Sequence, residues 1–124
     1  MFLNPWPDYS FEMDLTSDHT RLWTLLADNE IAGYAVAYII EDEFQIANFA
    51  IAKEFQKKGL GTELIKFILQ EAEKAGCGYC YLEVRTGNKP AISLYKKFGF
   101  KIVNIMINYY QNPPEDAFIM IMKI

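Results

Sequence analysis

Gln56-Lys57-Lys58-Gly59-Leu60-Gly61 joins two stretches of different character. The run before it, Gln45 to Ile51, reads as a strand, and the run after it, Thr62 to Ala75, as a helix. The glycines permit a tight turn and let backbone approach a ligand closely. The helix that follows begins with free N–H groups and the positive end of its dipole, which together suit a phosphate. Lys57 and Lys58 add positive charge beside it. One such loop taken alone is most simply a strand-to-helix connection. Two phosphate loops are excluded by spelling. A Walker A loop needs Gly-Lys-Ser/Thr, but Thr62-Glu63 follows Gly61; a dinucleotide fingerprint needs a third glycine where Leu64 stands.

At 124 residues the chain is expected to form a single domain over residues 1–124, with roughly two-thirds of its extended surface buried. A net charge of −4 argues against a general nucleic-acid binder and offers no attraction to membranes. No apolar run approaches the ~20 residues of a spanning helix. Met1 to Ser10 lacks the basic and apolar regions of a signal peptide. Cys77 and Cys80 form a lone C-x-x-C. The one histidine, His19, is far away in sequence, so no metal site is expected. Buried free thiols in a reducing cytoplasm are the better reading.

The remaining elements follow in order. A stiff aromatic opening, Asn4 to Tyr9, precedes a short helix expected from about Tyr9 to Leu15. Thr20 to Ala27 and Ile31 to Ile40 read as a hairpin, and Phe44 to Ile51 as the third strand of a meander. Leu64, Ile65, Ile68, Leu69, Ala72 and Ala75 form the apolar stripe of the first long helix, and Gly76 ends it. Tyr79 to Arg85 is a strand parallel to the one before the helix. Pro90 opens a second helix, whose stripe is Ala91, Leu94, Tyr95 and Phe98. Phe100 to Ile107 and Ala117 to Ile124 close the chain as a hairpin. The fold class is α/β, with a mixed sheet and helices.

The pattern Gln/Arg-x-x-Gly-x-Gly/Ala at Gln56 to Gly61 resembles the pyrophosphate loop of the GNAT superfamily of N-acetyltransferases. Tyr81-Leu82-Glu83-Val84-Arg85, Asn88, the run Ala91 to Phe100, Asn108-Tyr109-Tyr110 and Glu115-Asp116-Ala117 narrow the likeness. Together they resemble the bacterial enzymes that acetylate the N-terminal alanine of a ribosomal protein. The match runs from about Asn48 to Tyr110, and more loosely back to Pro5-Trp6. It implies the acyl-CoA N-acyltransferase fold and acetyl-CoA as donor, without a metal. It also implies a peptide or protein N-terminus as acceptor, in the cytoplasm.

Carried onto this chain, the resemblance assigns cofactor contacts to the Phe49, Ala50 and Ile51 backbone, to Gln56, Lys57, Lys58, Gly59, Leu60 and Gly61, and to Asn88. The strand around Ala50 would pair with the amides of the pantetheine arm. Ordinary sheet pairing is the rival there, and a helix N-cap is the rival for Asn88. The family's catalytic positions fall on Glu83 and Tyr95. Glu83 would take the amine proton directly or through a water, and Tyr95 would give one to the leaving thiolate. The plainer readings pair Glu83 with Arg85 or a lysine and leave Tyr95 in the core. The rival functions are acetylation of a small amine or a lysine side chain, and an inactive acetyl-CoA-binding module, which would need neither Glu83 nor Tyr95.

Relative to the family the front is shortened, with the first strand and helix missing. Thr20 to Ala27 is then expected at an open sheet edge, which needs a cover. A second copy in a homodimer is one cover, and residues Met1 to Tyr9 folding back are the other.

Overall fold

The computed structural model describes residues 9–57 and 59–124. Its elements are β1 (Tyr9–Thr16), β2 (Thr20–Ala27), β3 (Glu30–Ile40), β4 (Glu43–Ile51), a 3₁₀ turn (Lys53–Phe55), α1 (Leu60–Lys74), β5 (Tyr79–Arg85), α2 (Lys89–Lys97), β6 (Lys101–Tyr110) and β7 (Glu115–Lys123). The strands form one mixed sheet in the order β1-β2-β3-β4-β5-β7-β6. β4 and β5 run parallel across α1, whereas β7 inserts antiparallel between β5 and β6. The expected meander, the helices after the glycine loop and at Pro90, and the closing hairpin are all present.

The front of the chain differs from expectation. Tyr9 to Leu15 is a strand, not a helix, and β1 pairs antiparallel with β2 from Tyr9↔Ala27 to Thr16↔Arg21. The physical reason lies in the sequence itself. Tyr9, Phe11, Met13 and Leu15 alternate with Ser10, Glu12, Asp14 and Thr16, which is a period of two and not of 3.6. β2 is therefore no open edge, and the premise for covering it with a second copy falls away. The alternative cover, Met1 to Tyr9, lies almost wholly outside the described residues. β1 thus occupies the place beside β2 that the resemblance left open.

α1 and α2 feed one apolar cluster. Leu64, Ile65, Ile68 and Ala72 of α1 lie buried with Trp23, Leu25, Phe44, Leu82 and Tyr95. Phe67 ties β1 to this layer: Phe11 stacks on it at 4.2 Å between centroids, and Trp23 meets it edge-on at 5.7 Å. The two-residue alternation sorts β5 cleanly. Cys80, Leu82 and Val84 are buried against the helices, while Tyr81, Glu83 and Arg85 occupy the other face, half-buried. Both cysteines are buried free thiols, as expected. No helix among the described residues is long and apolar enough to cross a membrane.

Phe11→Ala removes one ring of the stacked pair and should lower stability by about 1–3 kcal/mol in urea denaturation, less than a fully buried Phe because Phe11 is half-exposed. Glu12→Ala, on the outward face of the same strand, should leave the midpoint nearly unchanged. Equal effects at the two positions would contradict the strand.

Candidate active site

The site begins where a sheet comes apart. β4 and β5 pair from Glu43↔Tyr79 to Ile46↔Leu82 and no further. Beyond that point β4 stays with β3, from Val36↔Asn48 to Gly33↔Ile51, while β5 stays with β7. A register shift between Val36 and Ala37 leaves Ala47 as an extra residue on β4, a bulge that bends the strand away. The backbone of Asn48 to Ile51 thus turns an unpaired edge toward the gap. Gly33 allows β4 to lie close on its other side, since a Cβ there would stand 2.5 Å from the Ala50 carbonyl oxygen.

The gap holds a cavity of about 260 Å³, lined by Asn48 and Phe49 on one side and by Glu83, Asn88, Tyr95 and Tyr110 on the other. A second cavity of about 260 Å³ adjoins it, walled by Tyr38, Gln45, Tyr81 and Tyr109. Ile46, Ala47, Glu83 and Tyr110 line both cavities. Sequence reasoning placed Glu83 and Tyr95 together, and the fold does bring them to one gap.

The two side chains arrive from opposite faces of the sheet. Tyr95 sits on the helix-covered side, its ring held edge-on by Phe49 at 5.9 Å and by Phe100 at 5.7 Å. Burial first, and then the charges of Tyr110 and Cys80, raise its pKa well above that of an ordinary phenol. Its hydroxyl therefore keeps its proton across the accessible pH range. Glu83 stands on the other face and accepts a hydrogen bond from the Tyr81 hydroxyl at 3.0 Å. It does not pair with Arg85, whose guanidinium goes instead to Glu115, 3.2 Å away.

The loop before α1 has the geometry of an anion cradle. Lys57 (φ 61°) and Gly59 (φ 86°) both take left-handed backbone, and Gly59 is the N-cap, with no side chain over the first N–H groups of α1. The helix starts at Leu60, two residues earlier than expected, so Gly61 belongs to its first turn. Gln56 is exposed, but its side-chain amide donates to the Ile51 carbonyl at 2.9 Å and pins the end of β4 to the loop. Asn88 caps α2 by accepting from the Ala91 N–H at 3.3 Å, and it lines the first cavity as well. Phe49, Ala50 and Ile51 lie on the unpaired edge. Lys58 lies outside the described residues.

The sequence drew attention to Tyr109-Tyr110 without giving them a role. Between the pairs Met106↔Ala117 and Tyr110↔Glu115, β6 has three residues where β7 has one. Asn108 takes φ 51°, and its N–H is held by Asp116 at 2.8 Å. That irregularity re-aims Tyr109 and Tyr110 into the cavities. Arg85 then fastens the wall, with its guanidinium 4.2 Å from the Tyr110 ring centroid and bonded to the Pro113 carbonyl at 3.2 Å. Glu115 completes the clasp by accepting from the Gly87 N–H at 2.7 Å. Spacing on β5 was the available signal for Tyr81, which stands two residues before Glu83 and so shares its face.

A parallel pair that splays over a helix N-terminus, with a free strand edge, has room and donors for a long phosphorylated ligand such as an acyl-CoA. Residues 1–100 match the model of the acetyltransferase (GNAT) family, and the chain belongs to that family. It is 35% identical over 122 residues to the [ribosomal protein bS18]-alanine N-acetyltransferase of Salmonella typhimurium, covering 97% of this chain and 82% of that protein. The crystal structure of the ribosomal-protein-S18-alanine N-acetyltransferase from Escherichia coli superposes with a TM-score of 0.81 at 33% identity, covering 88% of this chain and 72% of that one. A GNAT acetyltransferase from Elizabethkingia anophelis with acetyl-CoA bound gives 0.77 at 25% identity, covering 86% and 77%. The chain is accordingly an acetyl-CoA-dependent N-acetyltransferase. Among the described residues no cluster of His, Cys, Asp or Glu could hold a metal ion.

Arg85→Met should loosen the Tyr110 wall while leaving the strands intact. Backbone amides of residues 108–116 are expected to exchange with solvent about five to ten times faster, matching about 1–1.4 kcal/mol for a half-exposed ion pair with a cation–π contact. Exchange in β4 and the paired half of β5 should not change.

Proposed function

We propose that this chain moves acetyl from acetyl-CoA to the N-terminal α-amine of a peptide or protein, of the ribosomal-protein-alanine type, by direct attack in a ternary complex in the cytoplasm. The observation that carries this reading is the convergence of Glu83 and Tyr95 on one gap from opposite faces of the sheet. The names of the relatives support the acceptor class.

The residues divide the work as follows. The first turn of α1, from Gly59 to Gly61, receives the pyrophosphate through free N–H groups and the helix dipole. The unpaired edge from Phe49 to Ile51 takes the pantetheine amides as an added strand and holds the thioester over the gap. Backbone N–H on that edge polarises the carbonyl. Glu83 accepts the amine proton, directly or through a water, as nitrogen bonds to the carbonyl carbon. Tyr95 donates to sulfur as the C–S bond breaks. Its raised pKa makes it a hydrogen-bond donor that stabilises the departing thiolate, because full transfer to a thiolate whose conjugate acid has pKa ~8.5 runs uphill, and the thiolate takes its proton from water after release. The base has a mild task with an α-amine, pKa about 7.7–8.0, and a harder one with lysine at ~10.4. Cys80 offers no acyl-enzyme route, since burial pushes its thiol up to about 12.

Gly61→Asp gives a clean test of the phosphate site. A Cβ there meets nothing nearer than Leu94 at 3.6 Å, and an acidic residue in the first turn suits the helix. The variant should melt like the parent but bind acetyl-CoA at least ~100-fold more weakly by calorimetry, through repulsion. Undiminished affinity would rule this site out.

Tyr95→Phe should cut turnover of an alanine-initiated peptide by roughly 10²–10⁴ with acetyl-CoA affinity unchanged, and Glu83→Gln should do likewise. Because Tyr95 stays protonated, the rate should rise as the amine deprotonates and then hold level through about pH 10. Mass spectrometry of peptides with alanine, other residues or an internal lysine, incubated with enzyme and acetyl-CoA, separates the acceptor classes. Acetylation confined to lysine side chains would overturn the α-amine assignment.

A further inference from the structure

Tyr81 has no part in the chemistry just described, yet its hydroxyl donates a hydrogen bond to Glu83. The two residues stand at i and i+2 on β5 and so project side by side from the face opposite the helices. Their bond, 3.0 Å from the phenol oxygen to Oε1, lies in the second cavity. Tyr109 reaches the same carboxylate from β6, delivered there by the irregularity at Asn108. Both phenols keep their protons: burial and then the Glu83 bond push Tyr81 up to about 12, and for Tyr109 the Glu83 bond is the leading cause of a raised value. Each therefore has a proton to donate to the Glu83 carboxylate.

We propose that Tyr81, assisted by Tyr109, is a positioning residue that holds the Glu83 carboxylate aimed between the two cavities. The inference rests on the assignment of Glu83 as base. A free carboxylate on an extended side chain can rotate out of the gap. One that accepts from a neighbour on its own strand keeps one oxygen engaged and presents the other to the incoming amine. The other groups facing this corner are Tyr38 of β3, Glu43 of β4, Arg85 of β5, Tyr110 of β6 and, across the gap, Tyr95 of α2. Arg85 is committed to Glu115, which leaves the phenols as the donors to Glu83.

The test compares wild type, Tyr81→Phe, Glu83→Gln and the double variant, with acetyl-CoA and an alanine-initiated peptide. Tyr81→Phe keeps the ring and should lower kcat about 5- to 30-fold with unchanged acetyl-CoA affinity. In the Glu83→Gln background the same change should cost nothing more, since Tyr81 acts through that carboxylate. The carboxylate stretching band assigned by its loss in Glu83→Gln should also shift in Tyr81→Phe, a readout that needs no acceptor. Additive losses or an unmoved band would overturn the positioning role while leaving Glu83 as base. Wild-type turnover by Glu83→Gln would overturn the base itself, and this inference with it.

Discussion

A strand in the middle of a sheet ordinarily has partners on both sides, and β4 gives one of them up. Its pairing with β5 ends at Ile46↔Leu82, so the polar backbone of Asn48 to Ile51 faces a gap instead of a neighbour. Buried backbone groups without partners are costly, and a sheet tolerates them only where water or a ligand can take the place of the missing strand. The cavity, the exposed edge and the approach to α1 all follow from that single interruption. A continuous β4–β5 ladder would close the gap and bring Glu83 and Tyr95 against packed backbone.

Keeping the gap open requires that both of its walls be held from behind. On the β4 side, the bulge at Ala47 turns the strand, Gly33 lets β3 support it closely, and the Gln56 side chain fastens its end at Ile51. On the β5 side the wall comes from β6, an exposed edge strand with little packing of its own. Arg85 supplies what packing does not, through Glu115, the Pro113 carbonyl and the face of Tyr110. Charge and stacking do there what apolar burial does around Trp23 and Phe44.

Most of the architecture was legible because its signals are local. Alternation in β5, the stripe of α1, the Asp28-Asn29 turn with both residues at positive φ, and glycine at Gly59 each announce themselves within a few residues. The signal at Tyr9 to Leu15 is also local: the two-residue alternation there specifies a strand and not the helix expected. Gln56 and Asn88 show the opposite limit. Their place in a motif was plain, but a side-chain amide can face a phosphate, a carbonyl or a helix end, and only the positions of Ile51 and Ala91 show which contacts it makes here.

The sequence by itself determined the order of elements, the glycine loop over a helix N-terminus and the presence of a carboxylate and a phenol at Glu83 and Tyr95. Those are properties of short stretches, set by periodicity, by backbone freedom and by residue chemistry. Tertiary structure decided which groups share a space. It set Tyr95 and Glu83 on opposite faces of one opening, gave Arg85 to Glu115 and not to Glu83, and brought Tyr81 to the carboxylate that Arg85 left free. Partners of that kind depend on where β4 leaves β5 and where β6 bends, which are distances through space that no run of neighbouring residues encodes.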